Sequence, residues 1–326
     1  MNIAIIGCGL VGNKRAENLS KHHKIIAVCD KYKKNAKKIL KKNKYATFYF
    51  KWKDVFKISD LDCVIICTPH NLLFKITSFG LKLNKIHLFV EKPGVKNLKE
   101  IENLIKIYRS LKKSKISIRF GFNHRFYKSI TLAKKLIKGD EIGSLLYLRG
   151  VYGHGGKKNY SKEWRGLKNQ SGGGQLIDQG IHLIDLSRFF LGKLNVQSSY
   201  FDNMFWNTKV EDNIFMTLKY KKKIAFLHAS WTEWKNKFYL EIFGKKGKIE
   251  ISGKGGSYGA EKVTIFKMHK KQIKPNKKII NFSNNDLSWK YELNLFFKDI
   301  EKTNDTFFHL KNLYENFKII NTIYKK

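Results

Sequence analysis

Asp178, His182 and Asp185 fall within one apolar segment, Gly172-Gly173-Gly174-Gln175-Leu176-Ile177-Asp178-Gln179-Gly180-Ile181-His182-Leu183-Ile184-Asp185. The first pair is spaced i, i+4 and the second i, i+3, so on a helix all three share one face. An imidazole titrates near neutral pH and can take or give a hydroxyl proton. A carboxylate one turn away can orient the ring and stabilise its charged form. Two other readings fit the same spacing: a buried structural His–Asp pair and a divalent metal site. The metal reading lacks a further well-placed His or Cys, and no metal is expected. Three glycines ahead of the helix let main chain approach a ligand closely.

Gly7-Cys8-Gly9-Leu10-Val11-Gly12 follows a strand pattern at Ile3–Ile6 and opens a helical one. Strand, G-x-G-x-x-G and helix together form the context that gives the glycines a dinucleotide-binding meaning. Gly7 permits the tight turn, Gly9 lets backbone approach a pyrophosphate, and Gly12 lets helix and strand pack closely. Leu10 and Val11 begin a helix whose free N–H groups and positive dipole end suit an anion. Asp30 closes the second strand 18 residues after Gly12. Its carboxylate can accept both ribose hydroxyls of NAD and repels a 2′-phosphate, so NAD is favoured. Lys31, Lys33 and Lys34 keep NADP admissible. The alternative is a Rossmann-like fold that holds no cofactor.

Cys67-Thr68-Pro69 and Glu91-Lys92-Pro93 end later strands. That is the edge at which an open parallel sheet binds ligands. Thr68, Pro69, Glu91 and Lys92 are therefore candidate cofactor contacts. A Lys-Pro step keeps the lysine backbone extended and can aim its side chain. The alternative for Lys92 is one more surface lysine.

The elements that must position these groups follow from periodicity. Continuous apolar strands at Ile3–Ile6, Ile25–Cys29, Thr47–Phe50, Cys63–Cys67, His87–Val90 and Ile116–Phe122 alternate with helical patterns. This predicts an α/β, doubly wound parallel sheet covered on both faces. After about residue 123 the rhythm changes. Helices are expected near 130–137 and 175–191. Strands are expected at 145–152, 196–201, 214–220, 224–232, 237–243, 248–252 and 263–267, the signature of an antiparallel sheet. Helices near 288–302 and 310–324 close the chain. The expected division is 1–122 and 123–326, a Rossmann domain and an α+β substrate-binding domain.

The 326 residues carry 65 Lys+Arg against 26 Asp+Glu, a formal charge of +39. Only seven of the basic residues are Arg, and the lysines are spread along the whole chain. A surface dedicated to nucleic acid uses more Arg, whose planar fork suits phosphate and base edges. The charge is read as a solvated surface, with no nucleic-acid partner expected. No apolar run approaches the roughly 20 residues of a membrane span, so no membrane partner is expected. The start MNIAIIGCGLVG lacks the basic n-region of a signal peptide. The four cysteines, at 8, 29, 63 and 67, include no CxxC pair. They are read as reduced, buried small hydrophobes in a cytoplasmic protein.

Tyr152-Gly153-His154-Gly155-Gly156-Lys157-Lys158, followed by Trp164-Arg165, precedes the His182 helix. Aromatics stack on sugar or base rings, and Arg and Lys pair with phosphate. Asn123, His124 and Arg125 stand at a strand end beside the expected cofactor edge. Tyr152, His154, Trp164, Arg165, Asn123 and Arg125 are thus candidate substrate contacts beside Asp178 and His182. Lys157 and Lys158 fit an ordinary lysine-rich loop equally well.

GCGLVG at the N-terminus, VEKP at 90–93, GFNHRF at 121–126 and GGGQLIDQGIHLID at 172–185 together resemble the glucose–fructose oxidoreductase / inositol dehydrogenase (Gfo/Idh/MocA) family over essentially the whole chain. The resemblance implies a Rossmann domain followed by a domain whose open, mostly antiparallel sheet often forms the oligomer interface, hence a homodimer or homotetramer. It implies that Lys92, Asp178 and His182 are the catalytic set of an NAD(P)-dependent dehydrogenase acting on a secondary hydroxyl of a sugar or cyclitol. Nucleotide-linked sugars of surface-glycan assembly are among the substrates it suggests. Relatives that look like glycosidases using transient oxidation, or non-catalytic regulators of the same fold, are the alternatives. Many members carry a His a few residues after the Thr-Pro step. Here His70 follows Pro69 directly and Leu73 takes the usual place.

Overall fold

A computed structural model describes residues 1–111, 116–268 and 274–325. The chain divides into two units, Met1–Phe122 with Trp289–Lys318, and Asn123–Ser288 with Ile319–Lys326.

In the first unit, strands β1 (Asn2–Ile6), β2 (Lys24–Cys29), β3 (Thr47–Tyr49), β4 (Cys63–Ile66), β5 (His87–Glu91) and β6 (Ile118–Gly121) form one sheet in the order β3-β2-β1-β4-β5-β6. Every pairing is parallel. Order reverses beside β1, the switch point at which such sheets bind ligands. Helices α1 (Leu10–Glu17), α2 (Lys33–Lys42), α3 (Trp52–Val55), α4 (His70–Leu83) and α5 (Leu98–Ser110) are the crossovers. The short α3 has no counterpart in the sequence reading, since four residues carry too little period to detect. One face of the sheet buries Ile3, Ile5, Val28, Ile65 and Phe89 against Leu293, Phe296 and Phe297 from near the far end of the chain.

In the second unit, α6 (Lys128–Lys138) leads to β7 (Leu145–Gly153), and α7 (Lys168–Ser171) precedes the segment carrying His182. The expected continuous helix over 175–191 is instead a π-helical stretch, Leu176–Gly180, running into α8 (Ile181–Leu191). Its start is fastened from outside. Gly174 and Leu176 both donate their N–H to Glu211 Oε1, at 3.0 and 3.1 Å, and Gln175 N–H reaches the Glu211 carbonyl at 3.0 Å. A wide turn is common at functional positions in helices.

Strands β8 (Asn195–Asp202), β9 (Asn213–Tyr220), β10 (Lys223–Ser230), β11 (Lys237–Gly244), β12 (Gly247–Ser252), β13 (Lys262–Lys267) and β14 (Asn276–Asn281) join β7 in a sheet ordered β14-β13-β12-β11-β7-β10-β9-β8. Only β7 and β10 pair parallel. β14 was not anticipated, because Asn276-Lys277-Lys278-Ile279-Ile280-Asn281 is a polar edge strand, and lysines there discourage further pairing. One sheet face buries Leu148, Leu227, Leu240, Ile249 and Ile251. Gly150 lies on that face, where a side chain would strike Leu183 of α8. The opposite face leaves Tyr200, Phe215 and Phe226 exposed. Helices α9 (Ser288–Glu301) and α10 (Phe307–Tyr324) end the fold. Among the described residues, no helix is long and apolar enough to cross a membrane.

Candidate active site

The turn after β1 is shaped by what its glycines lack. Gly7 has φ +91°, and a Cβ there would lie 2.6 Å from the Cys67 carbonyl carbon. A Cβ on Gly12 would lie 2.0 Å from the Gly7 oxygen. Gly9, by contrast, has nothing within 4 Å of that position, and Leu10 beside it is 78% exposed. The cradle is therefore tight on its protein side and open where a pyrophosphate would lie.

Asp30 braces this turn as well as facing it. Its Oδ2 accepts the Cys8 N–H at 2.8 Å, and its Oδ1 accepts from Tyr32 N–H at 2.9 Å and Asn35 Nδ2 at 2.8 Å. Lys31 sits beyond, over the Tyr32 ring at 5.4 Å. Thr68 Oγ1 is buried with no hydrogen-bond partner among the described residues, as a hydroxyl awaiting a ligand would be. Pro69 caps α4, while His70 and Leu73 are both buried within it. Open backbone at Gly9, a ribose-type acceptor at Asp30 and the Thr68 hydroxyl fit a dinucleotide. Cys8 and Cys29 thiols are pushed up to about 12, chiefly by burial, so they stay protonated and inert.

Glu91 and Lys92 part company. Lys92 is half-buried at the end of β5, on a cis peptide to Pro93. Glu91 is buried and accepts from Arg15 Nε. Arg15 is fully buried and donates a second bond, 2.7 Å, to Glu292. Its guanidinium also stacks on Phe89 and Trp289, at 4.3 and 4.5 Å from the ring centres. Glu91 thus ties α1, and with it the glycine turn, to the sheet.

In the second unit His182 is 3% exposed. Its ring lies 3.8 Å, centre to centre, from that of His124. Tyr152, itself buried, packs edge-on to His182 at 6.1 Å and beside His124 at 5.1 Å. Asp178 is half-buried, and Arg165 Nε approaches it at 3.9 Å while Arg165 stacks over Trp164. Asp185, three residues after His182, has a partner from outside its helix. It is held by Arg125 in a two-pronged pair, both bonds 2.6 Å. The same pair occupies Arg125, read from sequence as a substrate contact. Asn123 Nδ2 donates to Ser288 Oγ at 2.8 Å. His154 accepts the Gly156 N–H at 3.0 Å and neighbours the rings of Tyr160 and Trp231. No group of three His, Cys, Asp or Glu suited to a metal occurs among the described residues.

The sequence reading missed several residues here. Gln179 donates to Tyr258 Oη at 3.3 Å, and Lys254 lies over three tyrosine rings. Their signal was present in Gly253-Lys254-Gly255-Gly256-Ser257-Tyr258-Gly259, where glycine density marks a loop of special geometry.

Residues 1–119 match the oxidoreductase family profile with the NAD-binding Rossmann fold, and residues 130–250 match the GFO/IDH/MocA C-terminal domain. The chain belongs to the Gfo/Idh/MocA oxidoreductases. Its first unit carries the family's NAD-binding Rossmann fold. Among curated proteins it is 27% identical over 263 residues to 2,7-anhydro-N-acetylneuraminate hydratase of Escherichia coli, covering 77% of this chain and 67% of that one. It is 30% identical over 146 residues to levoglucosan dehydrogenase of Pseudarthrobacter phenanthrenivorans, covering 44% of this chain and 36% of that one. A levoglucosan dehydrogenase structure, in complex with NADH and L-sorbose, superposes with TM-score 0.85 at 16% identity, over 100% of this chain and 97% of that one. The fold of this Gfo/Idh/MocA chain is thereby the family's.

Proposed function

We propose that this protein is an NAD(P)-dependent dehydrogenase acting on a secondary hydroxyl or keto group of a sugar or cyclitol, with Lys92, Asp178 and His182 as its catalytic set. The single observation that carries the reading is the buried His182 imidazole, set among aromatic rings one turn from Asp178 on a chain that belongs to this family. Gly7, Gly9, Leu10, Val11, Gly12, Asp30, Lys31, Thr68, Pro69 and Lys92 would hold the dinucleotide; Glu91 supports them through Arg15. When bound, the nicotinamide supplies the hydride acceptor or donor. His182 accepts the hydroxyl proton. Lys92, cationic, stabilises the developing alkoxide and relays the proton. Asp178 keeps the local field favourable to a protonated imidazole. Reduction uses the same groups in reverse.

A nucleotide-linked sugar is the finer proposal, supported by Trp164 and Arg165 beside Asp178. The exposed face bearing Tyr200, Phe215 and Phe226 supports a homo-oligomer formed through the second sheet. The cytoplasm is the compartment proposed, with thiols reduced.

The test is a screen at 340 nm over sugars, inositols and nucleotide sugars with NAD⁺ and NADP⁺. Lys92→Met and His182→Ala should each abolish turnover on any active substrate while NADH binding persists. Normal turnover in either variant removes the assignment. The E. coli relative is named a hydratase rather than a dehydrogenase, which favours a second reading: transient oxidation with no net NADH. Product analysis in the absence of NADH build-up separates the two.

A further inference from the structure

Trp234 stands at a backbone angle that a bulky residue rarely takes, and it is exposed there. Its φ is +53°. Across it the Lys235 N–H bonds back to the Glu233 carbonyl at 2.5 Å. That is the rare, strained form of the three-residue γ-turn. Strain of this kind persists where the surroundings enforce it, and it gathers at ligand clamps. Here Gly155 packs on the turn, where a Cβ would lie 3.1 Å from the Trp234 carbonyl oxygen. The Glu233 N–H donates to the His154 carbonyl at 3.2 Å. What the turn presents to solvent is Trp234, 63% exposed.

Phe205 stands beside it, 61% exposed. The two rings lie 4.8 Å apart, inclined by 82°, an edge-to-face arrangement that leaves broad ring surface uncovered by the pair itself. Phe205 is held firmly. Asp212, fully buried, accepts the N–H groups of Met204, Phe205 and Trp206 at 2.8, 2.8 and 2.7 Å. Trp206 packs edge-on to Phe205 at 5.2 Å and donates its Nε1–H to the Trp231 carbonyl at 2.9 Å. Gly156 lies against the Trp206 indole so closely that a Cβ there would strike it.

These loops, 203–209 and 231–236, are continuous with the segment that carries Trp164 and Arg165. The Lys209 N–H donates to the Gly166 carbonyl at 3.3 Å. The Trp231 ring lies 4.7 Å from Tyr160, whose phenol is pushed up by burial first and by Asp178 second. Contacts therefore run from Trp234 through Phe205, Trp206 and Trp231 to Tyr160, within the field of Asp178. The reacting sugar belongs at Asp178 and His182, so the exposed rings stand where the far end of a longer substrate would lie. Lys158, Lys209 and Lys235 are exposed in the same loops, a positive field for a diphosphate between the two ends.

We propose that Trp234 and Phe205 form a stacking platform for the nucleobase of a nucleotide-linked sugar whose sugar ring lies at His182. This rests on the nucleotide-sugar form of the dehydrogenase reading. Every base has a π-face, so aromatic stacking tolerates pyrimidine and purine alike, and loss of one stacked ring lowers affinity roughly tenfold.

Titration calorimetry with the full chain saturated with NAD⁺ tests it, using UDP-glucose, ADP-glucose and D-glucose 1-phosphate as probes. At least one nucleotide sugar should bind about tenfold or more tightly than glucose 1-phosphate. Phe205→Ala and Trp234→Gly should each remove most of that advantage, and Trp234→Tyr, which keeps a ring, should retain most of it. The urea midpoint of Trp234→Gly should equal or exceed the parent's, because glycine relieves the strained turn; a merely structural tryptophan would lower it. Unaltered NADH affinity shows that each variant is folded. An advantage that survives Trp234→Gly overturns the platform and leaves the nucleotide-sugar reading standing. Nucleotide sugars that bind no more tightly than glucose 1-phosphate remove both. A dimer that dissociates in Trp234→Gly on sedimentation, with nucleotide-sugar affinity intact, gives the rings to a second copy of the chain and overturns the proposal. Calorimetry reads binding without turnover, so these results stand apart from the 340 nm screen.

Discussion

The imidazoles of His124 and His182 lie 3.8 Å apart, inclined by 39°, and both are almost wholly buried. His124 is in turn hemmed by Tyr127, Tyr152 and Phe238. The plane of the proposed base therefore packs against a ring from a segment some sixty residues earlier. Misplacement of a catalytic group by about 1 Å costs on the order of a hundredfold in rate.

His124→Leu should therefore lower kcat about tenfold or more while leaving the KM for NAD⁺ unchanged, and His124→Phe, which keeps a ring, should recover most of the loss. Steady-state kinetics on any substrate found by the 340 nm screen checks this. Equal kcat for the Leu variant and the parent would show that the stack does not position His182.

Gly9 and Gly12 separate binding from folding. Gly9 sits in ordinary backbone at φ −67°, with nothing within 4 Å of a Cβ. Gly9→Ala should leave the urea midpoint unchanged and weaken NADH binding at least about tenfold, since the methyl enters the space kept for the ligand. Gly12→Ala, whose Cβ would meet the Gly7 oxygen at 2.0 Å, should lower both. Undiminished NADH affinity in Gly9→Ala, read by fluorescence titration, would contradict the proposed cradle.

Arg15 satisfies two buried carboxylates at once. Arg15→Met strands both, and breaking a buried pair from one side costs about 3–5 kcal/mol. Arg15→Lys should recover little, because an ammonium lacks the fork that reaches Glu91 and Glu292 together. Urea unfolding measures both. A loss below about 1 kcal/mol in the Met variant would show that the pairs contribute little.

Burial pushes Glu292 from its ordinary 4.5 up to about 7, outweighing the attraction of Arg15. The folded chain then holds this proton more tightly than the unfolded chain. The stability Glu292 contributes is full below about pH 4.5, falls as pH rises towards 7, and is level above. Glu292→Gln cannot lose a proton there. The stability difference between parent and variant should shrink from pH 5 to pH 7.5, and a difference constant with pH would refute the shift.

Much of this was legible in the residues. The β1 turn, Asp30 and the alternating strands announce themselves because their signals are local: glycine spacing, apolar runs and a carboxylate at a strand end. The partners were not legible, because they are set by packing between distant segments. Asp185 is three residues from His182 but pairs with Arg125, sixty residues away. Arg15 reads as an ordinary helix residue until Glu292 arrives from 277 positions along the chain. The helix over 175–191 opens as a π turn because Glu211 grips its first amides, which no periodicity within the helix records. β14 escaped for the opposite reason: an edge strand with lysines on it carries hardly any apolar pattern.

Because Trp289–Lys318 completes the first unit, the order in which the chain leaves the ribosome differs from the order in which its parts can close. A nascent chain that has reached Ser288 already holds nearly all of the second unit. At that moment Arg15, beside the nucleotide turn, has Glu91 but lacks its second carboxylate, Glu292, and Phe89 lacks the aromatic cover of Phe296. The segment synthesised first is finished by one synthesised much later, and an interruption of translation before Glu292 leaves Arg15 of the opening βα unit with one of its two carboxylate anchors.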